Sequence, residues 1–159
     1  NVEVTYKVDS KGVTVPMATA YAMVKSVNGV KCNRFLKCLF DTGGSVSMAH
    51  RSVLPPGAEL RQSSQSTICN TIAGNYMPVG SLLAENIKLP EFDANLTVDS
   101  QEFLVFDPKC SFDLILGNDF LMKIGLFIDY ETLELEWWAN WRDTKNIRVR
   151  VSDGPSSGE

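Results

Sequence analysis

A chain of 159 residues, 44% of them apolar and 21% charged, has the size and apolar content of one folded domain rather than of a disordered segment. Its 15 Lys and Arg against 19 Asp and Glu leave a net charge of -4, with no basic stripe to displace the counterions of a nucleic acid. No apolar run approaches the ~20 residues that span a bilayer, and the opening residues do not read as a charged-then-apolar secretory signal.

Short β segments dominate the chain. Val2 to Val8 alternates apolar and polar residues at period two, and Asp9-Ser10-Lys11-Gly12 reads as a turn. A strand over Thr19 to Ser26 meets Asn28-Gly29, the pair favoured where both central residues of a type I′ turn need positive φ. The returning strand runs from Val30 to Phe40 and ends in Cys38-Leu39-Phe40. After Asp41-Thr42-Gly43-Gly44-Ser45 come a strand over Val46 to Met48 and a polar loop around Pro55-Pro56-Gly57. Gln65 to Val79 reads as a hairpin around Ala73-Gly74-Asn75, followed by strands near Leu82 to Leu89 and Gln101 to Phe106. Phe112 to Leu116 is an apolar strand that enters Gly117.

Asn118 or Asp119 then suits the N-cap of a short helix over Phe120 to Ile124, which Gly125 stops. Phe127 to Tyr130 and Leu133 to Trp137 form a last hairpin across Glu131-Thr132. Residues 1–142 are expected to form the domain, and 143–159 a flexible polar tail. The expected fold is mostly β, closed or barrel-like, with one short helix.

Cys32, Cys38, Cys69 and Cys110 are too scattered for a disulfide framework or a C-x-x-C zinc site, so they are expected as free thiols in a reducing compartment, with no metal. His50 is the single histidine and sits in a polar stretch away from any nucleophile motif, so it is expected at the surface rather than in a triad. Trp137, Trp138 and Trp141 are expected as packing or dimer contacts. Chemistry in this chain therefore falls to carboxylates.

Leu39-Phe40-Asp41-Thr42-Gly43-Gly44-Ser45 places an aspartate at the mouth of a turn, immediately after an apolar strand, with two glycines that admit close backbone approach. Alone, Asp-Thr-Gly is three common residues. Further along, Leu114-Ile115-Leu116-Gly117-Asn118-Asp119-Phe120-Leu121 is a buried strand entering a glycine and a helix, and the glycine-tipped Ile72-Ala73-Gly74-Asn75-Tyr76 lies between them. In that order the three segments resemble the retropepsin family of aspartic peptidases, above all the proteases of LTR retrotransposon polyproteins. The resemblance spans roughly Ser26 to Trp137.

That resemblance implies a retropepsin-like closed barrel with a flap hairpin, no cofactor, and an aspartic endopeptidase acting on peptides or polyproteins as a homodimer, in the cytoplasm or a virus-like particle. Asp41 matches the catalytic aspartate, Thr42 the threonine whose hydroxyl bonds across the dimer axis, and Gly43 the glycine where water and substrate approach. Gly44 stands where many relatives carry alanine. Ala73, Gly74 and Asn75 fall at the flap tip, and Gly117 at the crossing beneath the catalytic loop. Asn118 replaces the arginine that helps hold retroviral dimers. One Asp-Thr-Gly is half of a catalytic pair, which a two-fold axis completes. The alternative is an inactive module of the same fold that binds extended peptide by strand addition or serves only to dimerise. A glycosidase built on Asp113 and Asp119 is more distant, because nothing brings those two carboxylates to one cleft.

Overall fold

Asn28 and Gly29 both take positive φ, 49° and 80°, and reverse the chain between β2 (Thr14–Val27) and β3 (Val30–Phe40). The computed structural model describes residues 3–8, 11–64, 67–129, 134–137, 147–150 and 152–153. β1 (Glu3–Val8) runs antiparallel to the first half of β2. The short β4 (Met48–His50) leads into a 3-10 turn at Arg51–Val53. A separate hairpin follows, β5 (Cys69–Thr71) and β6 (Gly74–Tyr76), and then the long β7 (Gly80–Lys88) and β8 (Val98–Phe106). β9 (Leu114–Leu116) enters helix α1 (Asn118–Ile124), and β10 (Leu126–Asp129) pairs with β11 (Glu134–Trp137).

Six of these strands close on themselves. β2 pairs with β3, β3 with β9 in parallel, β9 with β4, β4 with β8 in parallel, β8 with β7, and β7 returns to the second half of β2. Closure pairs the edges that an open sheet would expose. The expected mostly-β, closed barrel with one helix is the fold observed.

Strand alternation sorts the side chains onto two faces. Ala20, Ala22 and Val24 of β2, Leu36, Cys38 and Phe40 of β3, Leu114 and Leu116 of β9, and Phe103 and Val105 of β8 fill the main core. Their neighbours Met48, Leu104, Phe106 and Ile115 point the other way, into a second cluster that Tyr76 of the β5–β6 hairpin covers. The Tyr76 ring stacks on Phe106 with centroids 4.2 Å apart. Phe103, Phe106 and Phe120 are fully buried, and each contributes about 1.5–3 kcal/mol through burial. Phe92 packs edge-on against both Phe40 and Trp137, and Trp137 Nε1 donates to Ile124 O at 2.9 Å. Trp137 is thus a packing residue that ties the last hairpin to the helix.

Several expectations differ from the structure. Helix α1 is N-capped by Gly117, with no side-chain cap bond, rather than by Asn118 or Asp119. Both of those side chains are committed to the loops around Asp41. At its other end, Gly125 stops the helix in the left-handed conformation, φ 77°. β4 begins at Met48 rather than Val46, and the Ser47 hydroxyl just before it accepts from Gly117 N–H. Paired backbone also continues past residue 142. Within the expected tail, β12 (Ile147–Arg150) pairs with β11, and β13 (Ser152–Asp153) pairs in parallel with β1. The rest of 143–159, the Asp9–Ser10 part of the first turn, the Glu131–Thr132 turn, Trp138 and Trp141 lie outside the described residues. Among the described residues, no helix is long and apolar enough to cross a membrane.

Candidate active site

β3 and β9 lie side by side in parallel, with Phe40 opposite Leu116, so Asp41 and Gly117 leave the sheet together. The Asp41 N–H still donates to Leu116 O at 2.8 Å, which holds Asp41 to the end of the strand pair. Beyond it the chain turns tightly, with Gly44 N–H donating to Asp41 O at 3.2 Å. Asp41 is only 4% exposed. A buried carboxylate needs hydrogen-bond donors, and it has two from the backbone. Gly43 N–H donates to Oδ1 at 3.2 Å and Ile72 N–H to Oδ2 at 3.1 Å.

The second donor comes from the flap. β5 and β6 are joined by Ile72 and Ala73, so Ala73 lies in the turn while Gly74 and Asn75 open the returning strand. Thr71 organises this turn: its Oγ1 accepts from Ala73 N–H and Gly74 N–H, both at 3.1 Å, and its hydroxyl donates to Gly74 O at 2.7 Å. Gly74 has φ 149°, a region that residues with a side chain rarely adopt, and a Cβ there would meet Tyr76 Oη at 2.9 Å. Burial pushes the Tyr76 hydroxyl up to about 12, reinforced by its hydrogen bond with Cys110. It stays neutral and donates to Ala73 O at 3.2 Å.

Gly117 is required by space. A Cβ at that position would lie 2.6 Å from Val46 O and 3.1 Å from Gly44 O, both backbone atoms that cannot step aside cheaply. Its N–H donates to Ser47 Oγ at 2.9 Å, and the hydroxyl of the fully buried Ser47 donates to Asp119 Oδ1 at 2.5 Å. Asp119 also accepts from Gln101 Nε2 at 3.1 Å and from Phe120 N–H at 2.8 Å. It is a brace behind the Asp41 loop rather than a second acid facing Asp41. Asp113 is likewise committed, its Oδ2 accepting from Lys37 N–H at 2.9 Å, so the two carboxylates weighed for glycoside hydrolysis serve separate contacts.

Asn118 reaches the loop twice, through Nδ2 to Thr42 O and through its backbone N–H to Gly44 O, both at 2.7 Å. His50 has a structural part: Nδ1 accepts from Ser52 N–H at 3.1 Å, which leaves Nε2 to donate to Asp107 O at 3.1 Å. All four cysteines are free thiols, and burial pushes Cys38 and Cys69 up, away from reactivity. Among the described residues, no three His, Cys, Asp or Glu side chains gather as a metal site requires.

Thus Asp41, Thr42, Gly43, Gly44 and Gly117 come together at one locus, with Ala73 and Gly74 in the hairpin laid over it. Sequence reading missed Thr71, Ile72, Ser47 and Gln101. Ile72 acts through its backbone, so its side chain carries no signal. Ser47 and Gln101 act through tertiary contacts that no local pattern encodes. Thr71 carries a weak signal, a hydroxyl residue immediately before a two-residue turn.

No family model matches the chain, and no curated protein sequence matches it. Among solved structures it is similar to the retroviral protease-like domain of Ddi1 from Leishmania major, with 15% identity over 100% of both chains and a TM-score of 0.52. It is also similar to a retropepsin-like aspartic protease from Rickettsia conorii, with 14% identity over 81% of this chain and 88% of that one and a TM-score of 0.45. At 15% identity the likeness to the Leishmania domain is one of fold, and the chain has the retropepsin-like fold.

Proposed function

We propose that this chain is an aspartic endopeptidase of retropepsin type, active as a homodimer in which each copy supplies one Asp41. The observation that carries this reading is the environment of Asp41: a buried carboxylate in an Asp-Thr-Gly turn, held by Gly43 N–H and covered by Ile72 of a flap. The other carboxylates weighed support the dimer, because Asp119 is occupied by Ser47 and Gln101 behind the loop and Asp113 by the Lys37 backbone in β3. A two-fold axis past Asp41 and Thr42 would bring the second aspartate from another copy.

Two carboxylates a hydrogen bond apart share one proton, the arrangement for which aspartic proteases are the standard example. The ionised member takes a proton from water as that water attacks the scissile carbonyl, and the protonated member hydrogen-bonds the developing oxyanion. Proton transfer to the leaving nitrogen then breaks the C–N bond. The substrate class is an extended peptide or polyprotein segment under the flap. The parent is an LTR retrotransposon polyprotein processed in the cytoplasm or a virus-like particle.

Cleavage of a peptide library by the purified chain, alongside Asp41→Asn, tests the activity. Cleavage by the wild type and its loss in the variant are expected. Peptide that binds but is never cut by the wild type would instead favour a binding module.

A further inference from the structure

We infer that Asn118 is a positioning residue for the catalytic loop, orienting the Thr42–Gly43 peptide so that Gly43 N–H meets the Asp41 carboxylate. The inference rests on the proposed aspartic peptidase activity for its meaning and on geometry for its content.

A peptide unit is planar, so its C=O and the following N–H are fixed relative to each other and point in opposite directions. Thr42 O and Gly43 N–H belong to one such unit. Asn118 Nδ2 donates to the first at 2.7 Å, and the second donates to Asp41 Oδ1 at 3.2 Å. Rotation of that plane would break both bonds together. Asn118 N–H also holds Gly44 O at 2.7 Å, so the residue grips the loop at two carbonyls, two positions apart.

Asn118 is itself firmly placed, as the first residue of α1 between Gly117, which no larger residue can replace without moving Val46, and the buried Phe120 and Leu121. Its amide therefore transmits the position of the helix and barrel to the carboxylate. A side chain without a donor would leave the Asn118 N–H contact but release the Thr42–Gly43 plane. Where the resemblance puts an arginine that works across the dimer, this chain has a short amide that works within its own loop.

The test compares Asn118→Ala, which removes the donor and favours the helix, with Asn118→Gln, which restores a donor on a longer arm. Amide hydrogen exchange measured by NMR without substrate reads the loop directly. In Asn118→Ala the Gly43 amide should exchange about tenfold faster while Leu39 and Ile115 in the flanking strands keep the wild-type rate, as loss of one net hydrogen bond implies. Asn118→Gln should recover much of that protection. With a cleaved peptide, Asn118→Ala should lower kcat about tenfold and leave KM within about twofold, since the contact orients a catalytic group rather than substrate. Unchanged Gly43 exchange in Asn118→Ala, or equal acceleration throughout the barrel, overturns the inference. A wild type that cleaves nothing overturns the peptidase reading instead, and the exchange result still decides the role of Asn118.

Discussion

The backbone N–H of Ile72 donates to Asp41 Oδ2 at 3.1 Å, across 31 residues of chain, so the flap turn rests directly on the Asp41 carboxylate. Together with Gly43 N–H on Oδ1, it gives each carboxylate oxygen its own backbone donor. An asparagine at position 41 has one acceptor oxygen and one donor group, so it can satisfy only one of the two. Asp41→Asn should therefore do two separable things. Peptide cleavage should fall to background, because an amide neither shares the proton nor activates water. Stability should drop by about 1–2 kcal/mol, because one buried N–H loses its acceptor. Denaturant titration and a cleavage assay on the same preparation check both, and substantial turnover by the folded variant would remove Asp41 from the chemistry.

Gly117→Ala tests the packing beneath the site. The added methyl meets the backbone of Val46 and Gly44 rather than a side chain that could rotate away, so the Asp41 loop or β9 must shift. A cost of about 1–3 kcal/mol is expected from overpacking, with activity falling further than stability because the displaced segment carries Asp41. A variant of wild-type stability and activity would show that the loop yields freely.

Gly74→Val addresses the flap. At φ 149° a β-branched residue is strained, and its Cβ would press on the Tyr76 hydroxyl that holds Ala73 O. The hairpin lies outside the main barrel core, so the global unfolding midpoint should move little while kcat/KM falls about tenfold or more. Wild-type kinetics in this variant would place substrate closure on another segment.

Cys38 predicts an alkaline weakness. Burial, then the nearby Asp113 charge, raises its thiol from the ordinary 9.0, so the folded state keeps a proton that the unfolded chain gives up. The native state then binds more protons than the unfolded state above pH 9, and stability falls as pH rises. Below the ordinary value the contribution is fully present. Thermal unfolding followed from pH 8 to about pH 11 should show a decline that is shallower in Cys38→Ala, whatever that variant's absolute loss from the small cavity. Parallel curves for the two proteins would assign the decline to other groups.

The barrel was legible where local chemistry and tertiary demand agree. Asn28-Gly29 requires its turn wherever it stands, and the bounds of β3 follow from the run that ends in Phe40. Gly125 likewise stops α1 as expected. Misreadings arose where a side chain had a more valuable distant partner than its local one. Asp119 has the composition of a helix cap, yet Ser47 and Gln101 claim its carboxylate. The flap turn falls on Ile72–Ala73 rather than on the glycine, because Thr71 closes the turn and leaves Gly74 to begin the return strand. Polar residues after Asp143 suggest a tail, but the edges of β1 and β11 provide backbone partners that composition does not register.

The dimer is the most exacting consequence of the proposed function. The chain carries one Asp-Thr-Gly, and the carboxylates of Asp113 and Asp119 are taken up by Lys37 N–H of β3 and by the Ser47 hydroxyl. Activity should then depend on association, and specific activity should rise with protein concentration until dimers saturate. Asn118 spends its side chain within its own loop, in place of an arginine that would grip a second copy. A dissociation constant near micromolar, about 8 kcal/mol of association, is the expected scale. Mixing wild-type chains with an excess of Asp41→Asn chains should poison the activity, because mixed dimers hold a single working carboxylate. Sedimentation and turnover measured across one dilution series decide the matter. Specific activity that stays flat where sedimentation finds monomers would mean that one chain completes its own pair, and the second acid would then have to be sought beside Asp41 in the same barrel.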